Sequence, residues 1–340
     1  MSETLRIGLA GLGVVGGGVL KLLEQQRDLL QSRCGKRLEV IAVSAQERSR
    51  IGGSDISAFK WYDHASGLAE DTDVDVVCEL IGGSDGIALK LSQAALRNGK
   101  HLVTANKALL AHHGNELARM AEDCGVHLGY EAAVAGGIPI IKALREGLSG
   151  NNFSGVYGIL NGTCNYILTE MRDGVRAGNP RNFDAVLKEA QDLGYAEADP
   201  ATDVDGIDAA HKLALLTSLV FGCPVDFDAI QIEGIRHINV LDIEYAEELG
   251  YRVKAVGRRP GERGRHRTKR ASLHGARART DRPCRWRVER CCRGWRFCRH
   301  DHVRGAWCRR RADRFRRGRR SRRYLARPGA AGLRVAGVRS

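Results

Sequence analysis

The sequence predicts an α/β protein: a doubly wound parallel sheet first, a second domain behind it, and an arginine-rich tail without order. Three observations carry this. A short apolar strand runs into Gly11-Leu12-Gly13-Val14-Val15-Gly16 and then into a helical pattern. Apolar runs of strand length then alternate with helical stretches, joined by short links, as far as Tyr130. Near Gly257 the composition changes abruptly.

In order, Leu5–Ala10 reads as the first strand and Val19–Leu30 as the first helix. The glycines between them form G-x-G-x-x-G in the strand-to-helix context that a dinucleotide site of the Rossmann type requires. Gly11 makes the tight turn, Gly13 lets a pyrophosphate approach the backbone, and Gly16 lets helix pack on strand. The free amides at that helix start, with its dipole, favour a bound anion. Leu38–Ser44 is a second strand. No acid stands at its tip, where ribose hydroxyls are usually held, and Arg48 and Arg50 follow. That pattern suits a 2′-phosphate, hence NADP; two solvated loop arginines read equally well.

Val74–Ile81 and Gly99–Ala105 are further strands, with a helix to about Asn98 between them, and Val126–Tyr130 is a fifth after a helix over 114–124. Ligands bind beyond the carboxyl ends of such strands. The first glycine loop, Gly82-Gly83 and the loop Thr104 to Lys107 therefore share one rim. Lys107 is there a cation for cofactor or substrate, or a solvated surface group. Glu131 to Ile141 leaves the first domain through Gly136-Gly137 and Pro139. Exposed carbonyls in such a loop suit a hard cation; a plain hinge is the other reading. A helix follows over 139–148, then a strand over 155–160 and a polar tight turn, Asn161-Gly162-Thr163-Cys164-Asn165. Cys164 has no evident histidine partner nearby, so a thiolate nucleophile is not supported.

Phe183–Leu193 is an amphipathic helix, and an acidic loop comes next. Glu197, Asp199, Asp203, Asp205, Asp208 and Lys212 fall within sixteen residues. Pro200 and Gly206 break the first half into turns, and from Ile207 the pattern is helical and apolar nearly all round. Asp208 and Lys212 are four apart and therefore neighbours on one face. An exposed pair of this kind contributes only about 0.3–0.5 kcal/mol. At the mouth of a buried helix it is instead a candidate proton donor with its carboxylate.

The net charge of +14 suggests a nucleic-acid partner, but it is unevenly placed. Residues 258–340 hold 30 of the 54 Lys and Arg and only 5 of the 40 Asp and Glu, which leaves the first 257 residues acidic. The tail contains no isoleucine, asparagine, glutamine or methionine, and no apolar period long enough for an element. A nucleic-acid tail with interleaved Trp286, Trp295 and Trp307 is one reading. A metal module from irregularly spaced cysteines and histidines is another. The favoured reading is out-of-frame translation of a GC-rich gene from about residue 258. It implies disorder and an unpaired strand edge. No run of about eighteen apolar residues and no secretory leader pattern is present, so the expected compartment is the cytoplasm with reduced cysteines.

From Leu5 to Gly257 the sequence resembles the homoserine dehydrogenase family. The resemblance rests on Gly11–Gly18, Thr104–Lys107, Glu131–Ile141, Gly158–Thr163 and Leu193–Lys212. It implies reversible reduction of L-aspartate 4-semialdehyde to L-homoserine with NADP or NAD, on the route to threonine, methionine and isoleucine. It implies a Rossmann domain over 1–130 and an α+β substrate and dimerisation domain over 131–257, here incomplete, ahead of the basic tail at 258–340. Lys212 resembles the catalytic lysine, and Asp208 the carboxylate that binds substrate and orients the proton transfer. Lys107 resembles a second active-site lysine, while Gly194 and Glu197 resemble the pair that holds the substrate amino group. Glu131, Val134, Gly136 and Ile138 match a sodium-binding segment that works mainly through backbone oxygens. Gly11, Gly13, Val14, Val15, Gly16, Arg48, Thr104 and Lys107 match the cofactor site. Burial is expected to lower the pKa of Lys212. A homodimer is implied, with nucleic acid only a non-specific contact of the tail. The alternative from another class is a non-catalytic nucleotide- or nucleic-acid-binding protein that uses the basic tail.

Overall fold

A computed structural model describes residues 3–47, 56–260 and 271–279, with Pro260 and residues 271–279 as backbone only. One sheet is built from β1 (Thr4–Ala10), β2 (Arg37–Ser44), β3 (Lys60–Tyr62), β4 (Val76–Glu79), β5 (His101–Thr104) and β6 (Leu128–Gly129). Every neighbouring pair is parallel, in the order β3-β2-β1-β4-β5-β6. This is the doubly wound order, which reverses direction beside β1 and β4 and so opens a crevice at their carboxyl ends.

Helices α1 (Val14–Gln25), α2 (Arg27–Cys34), α3 (Ser66–Glu70), α4 (Ile87–Arg97) and α5 (Lys107–Asp123) connect these strands. The first helix begins immediately after Gly13 rather than at Val19, and it breaks at Gln26 rather than continuing to Leu30. The fifth begins at Lys107, well before Gly114, because Asn106 caps it by accepting the Leu109 amide. Lys107 is therefore a first-turn helix residue and not a loop residue.

The second region holds α6 (Glu131–Val134) and α7 (Ile140–Lys142), the latter continuing as one π-helical turn over Ala143–Gly147. Then follow β7 (Gly155–Gly158), α8 (Gly162–Arg176), α9 (Phe183–Asp192), α10 (Ala201–Val204), α11 (Ile207–Phe221), β8 (Ile230–Gln231), α12 (Val240–Glu248), β9 (Tyr251–Pro260) and β10 (Ala271–Arg279). The stretch after Asn161 is not a tight turn. Asn161 caps α8 through the Cys164 amide, and Cys164, Ile167, Leu168 and Met171 bury one helical face. Gly206 and Gly222, both in the left-handed region, bound α11. Leu213, Ala214, Leu216 and Val220 of α11 lie in one core with Leu109, Leu110 and Leu117 of α5.

The second sheet runs β7-β9-β10-β8. Strand β9 is antiparallel to β7 on one side and to β10 on the other, from Ser272 opposite Arg258 to Arg279 opposite Tyr251. The expectation of an unpaired edge after Gly257 is thus corrected: residues 271–279 supply the backbone partners. The readings placed on residues 261–270 and 280–340, including disorder and the cysteine cluster, lie outside the described residues.

Candidate active site

The chemistry of the chain gathers where α5, α8 and α11 meet. Asp208, in the first turn of α11, is only 2% exposed. Its Oδ1 accepts from Lys107 Nζ at 2.7 Å, and its Oδ2 accepts from Lys212 Nζ at 2.9 Å and from Asn161 Nδ2 at 2.9 Å. One buried carboxylate therefore serves two ammonium groups and one amide. Burial works to raise the Asp208 pKa. The Lys212 charge and the hydrogen bonds from Lys107, Lys212 and Asn161 outweigh it and hold the carboxyl below the usual range.

Lys212 also donates to the Leu160 carbonyl at 3.0 Å. Its position follows from the sequence: four residues after Asp208, it lies on the same face of an otherwise apolar helix. Lys107 comes from the other side, held at the first position of α5. That position is set by a chain of bonds which sequence reading did not find. Glu79, wholly buried at the end of β4, accepts the Thr104 hydroxyl at 2.6 Å and the amides of Ile81 and Gly82 at 2.8 and 3.2 Å. Thr104 Oγ1 accepts the Asn106 amide, and Asn106 Nδ2 donates to the Gly83 carbonyl. Thr104, expected against the cofactor, thus has its hydroxyl occupied inside the sheet, which leaves its backbone for that role.

At the acidic loop, Asn161 Nδ2 also donates to Asp203 Oδ1 at 2.7 Å. The Thr163 hydroxyl lies 2.9 Å from the Tyr195 carbonyl and 3.2 Å from Asp203 Oδ2. Gly194, with φ +71°, turns the chain out of α9. Glu197 is exposed, and its carbonyl accepts from Gln191 Nε2. Tyr195, between Gly194 and Glu197, approaches Asp208 through Thr163, Asp203 and Asn161. Asp203 and Thr163 are additions to the expected set. Cys164 is buried and its thiol is pushed up to about 12, by burial first and then by Asp203 and Asp208. It is no thiolate at neutral pH, as the missing histidine suggested.

On the nucleotide rim, Gly11 has φ +96°, and a Cβ there would lie 2.5 Å from the Leu80 carbonyl. A Cβ on Gly16 would collide with the Gly11 carbonyl. Gly13 is different: its Cβ would meet nothing within 4 Å. The first helical bond of α1 is Gly17 N to Gly13 O at 2.9 Å, so the amides of Val14, Val15 and Gly16 precede it. Val14 is 96% exposed and Val15 57%. An open, uncapped helix start flanked by a bare glycine fits a pyrophosphate. Arg48 lies outside the described residues.

In the segment expected to hold sodium, the Glu131 carboxylate accepts the amides of Ile141 and Lys142 at 2.7 and 2.9 Å, so it caps α7. The Ile138 carbonyl accepts from Ile140 N at 2.8 Å. Val134 is buried and Ile138 is exposed. The donor set that remains is one of backbone carbonyls, which fits a hard cation. No cluster of three or more His, Cys, Asp or Glu side chains able to hold a metal occurs among the described residues.

Beside Lys212, His211 is buried against His112 and Phe227, with ring centroids 5.5 and 4.7 Å away. Burial, and then the neighbouring His112, push its pKa from 6.5 down to about 4.

Comparison with known proteins places the chain in a family. Residues 139–283 match a family model described as homoserine dehydrogenase, and residues 11–131 match its NAD binding domain. The first match passes Gly257 and reaches into the basic tail. A homoserine dehydrogenase from Pseudomonas aeruginosa is 48% identical over 258 residues, which is 75% of this chain and 57% of that protein. One from Bacillus subtilis is 42% identical over 255 residues, 75% of this chain and 58% of that protein. The chain therefore spans less than two thirds of the length of these curated relatives. Among solved structures, a homoserine dehydrogenase from Thiobacillus denitrificans has a TM-score of 0.74 at 42% identity, covering 82% of this chain and 63% of that one. A putative homoserine dehydrogenase from Archaeoglobus fulgidus has a TM-score of 0.70 at 30% identity, covering 82% and 86%. None of these matches supports the non-catalytic alternative.

Two outcomes follow. Gly13→Ala should fold with an unchanged melting temperature yet bind NADP at least several-fold more weakly, because its methyl would enter the open space where a pyrophosphate is expected. Gly16→Ala should lose stability as well. Titration and thermal unfolding check both, and equal binding by Gly13→Ala contradicts the phosphate site. For His211 the folded pKa lies below the unfolded one. Its contribution to stability is therefore complete above about 6.5 and drains away as pH falls towards 4. Urea midpoints across this window should fall less steeply in His211→Phe; an identical slope contradicts the assignment.

Proposed function

This chain belongs to the homoserine dehydrogenase family, and from that premise we propose that it interconverts L-aspartate 4-semialdehyde and L-homoserine, with Lys212 as the proton donor and acceptor. The observation that carries the reading is the shared carboxylate. Asp208 draws Lys107 from the nucleotide-binding half and Lys212 from the second half onto its two oxygens. A substrate held there lies between the crevice of the parallel sheet and a paired lysine.

The nicotinamide, when bound, supplies or receives the hydride. The protein supplies position and one proton. In the reducing direction Lys212 gives a proton to the carbonyl oxygen as the alcohol forms; in the oxidising direction it takes that proton back. A lysine ammonium has three N–H donors. Leu160 O and Asp208 Oδ2 account for two at Lys212, and a substrate oxygen is the proposed partner of the third. Asp208, held ionised, orients both lysines, one on each of its oxygens. Lys107 completes the pair at the cofactor side. Glu197 and the Gly194 backbone form the proposed site for the substrate ammonium, and the exposed position of the Glu197 side chain supports access to it.

Gly11, Gly13, Val14, Val15 and Gly16 take the pyrophosphate of the nucleotide. The absence of an acid at the tip of β2, where Ser44 stands, supports NADP over NAD. A sodium ion is proposed for the carbonyl-rich segment through Val134, Gly136 and Ile138, with Glu131 holding its far side to α7. A homodimer and a cytoplasmic location are part of the same proposal. No helix among the described residues is long and apolar enough to cross a membrane.

The test is nicotinamide absorbance with homoserine and NADP. Lys212→Ala should lower kcat by about 100- to 10,000-fold, the usual scale for a lost general acid or base. NADP affinity should change little. Near-normal turnover in this variant removes Lys212 from the reaction.

A further inference from the structure

Asn161 joins three elements through one side chain. Its Oδ1 accepts the Cys164 amide at 2.8 Å and so starts α8. Its Nδ2 donates one N–H to Asp203 at 2.7 Å and the other to Asp208 at 2.9 Å. The orientation of this amide is fixed by its neighbours. Reversed, it would aim an oxygen at two carboxylates and an NH2 at a backbone N–H. The residue is only 6% exposed, so water cannot replace these bonds cheaply.

We propose that Asn161 is a positioning residue: it holds Asp208 in the orientation that offers one oxygen to each lysine, and it keeps Asp203 beside the acidic loop. This deepens the reading above and rests on it for its kinetic consequence. Asp208 Oδ2 receives Lys212 and Asn161 together, while Oδ1 receives Lys107. Without the amide, one direction of pull on Oδ2 is lost, and the carboxylate is free to follow its two cations. Asp203 would also lose its bond to Asn161 and face Asp208 with no donor between them. A neutral, non-titrating donor is the group that separates two carboxylates without adding charge. Through Thr163 and Tyr195, the same amide ties the acidic loop to the lysine pair.

The helix cap and the bridge can be separated by substitution. Serine is a good cap, but its side chain is too short to cap α8 and reach both carboxylates. Asn161→Ser should keep the cap of α8 and still fold, with a melting temperature lowered by the two lost carboxylate bonds. Its kcat should fall about 10- to 100-fold, the scale of a displaced catalytic group, with a smaller change in KM for homoserine. Carbon-13 NMR of the aspartate carboxyls gives a readout that needs no turnover. The Asp208 resonance, identified by its loss in Asp208→Asn, should begin to titrate at higher pH in Asn161→Ser, because a hydrogen bond to the charged form has gone. Asn161→Asp keeps a cap acceptor and puts a like charge in place of the donor, so it should raise the Asp208 titration further; this variant decides the matter if the serine variant fails to fold. Wild-type kcat in Asn161→Ser, or an Asp208 titration unmoved in either variant, overturns the proposal. A wild-type chain without homoserine-dependent turnover overturns the functional reading instead, and the titration then still decides for or against Asn161.

Discussion

A carboxylate with almost no access to water is stable only if its charge is answered, because burying an unpaired ion costs several kcal/mol. Asp208 is in that position, and Lys107, Lys212 and Asn161 answer it. The surrounding structure can be read as the means of bringing those three groups to it. An apolar α11 carries Asp208 inward. Gly206 lets that helix begin abruptly after the acidic loop. The Glu79–Thr104–Asn106 chain starts α5 at Lys107, and Asn161 starts α8.

The same contact joins the two halves of the molecule. Lys107 follows β5 of the nucleotide-binding sheet, whereas Asp208 and Lys212 belong to the second region. The core beneath them is continuous, with residues of α4, α5, α7 and α11 in one cluster. A cofactor held by the first half and a substrate held by the second would be aligned by this join. Rigid packing suits a reaction in which small displacements of the reacting groups are costly. Under the proposed mechanism Asp208 has both a structural and a chemical role, and the two cannot be separated by mutating it alone.

Much of this was readable in the sequence, for identifiable reasons. The glycine motif sits between a strand and a helix; a Cβ would collide at Gly11 and Gly16, and the space beside Gly13 is open. The Asp208–Lys212 pair follows from helical spacing. Lys107 could be placed on the rim but not on Asp208, since that contact joins residues 101 positions apart. The α8 helix was legible in principle: Cys164, Ile167, Leu168 and Met171 have helical spacing, and Asn161 before them is a capping residue. Reading that stretch as a turn hid the role of Asn161. Glu79 gave no clear signal, because the Thr104 hydroxyl that links it to the start of α5 comes from a separate strand. Strand β10 was missed since composition alone argued against order there, while its backbone pairs with β9 regardless of side chains.

Charge distribution misled in the opposite sense. The arginines that make the chain basic lie beyond Gly257, whereas the candidate site and most of the family match lie in the acidic remainder. The central claim is therefore local, and one measurement reaches it directly: a crystal structure of the chain with NADP and homoserine bound. The account predicts Lys212 Nζ within about 2.6–3.2 Å of the substrate hydroxyl, with Asp208 still bridging both lysines. A homoserine bound elsewhere, with the Lys212 ammonium turned into bulk water, would contradict it.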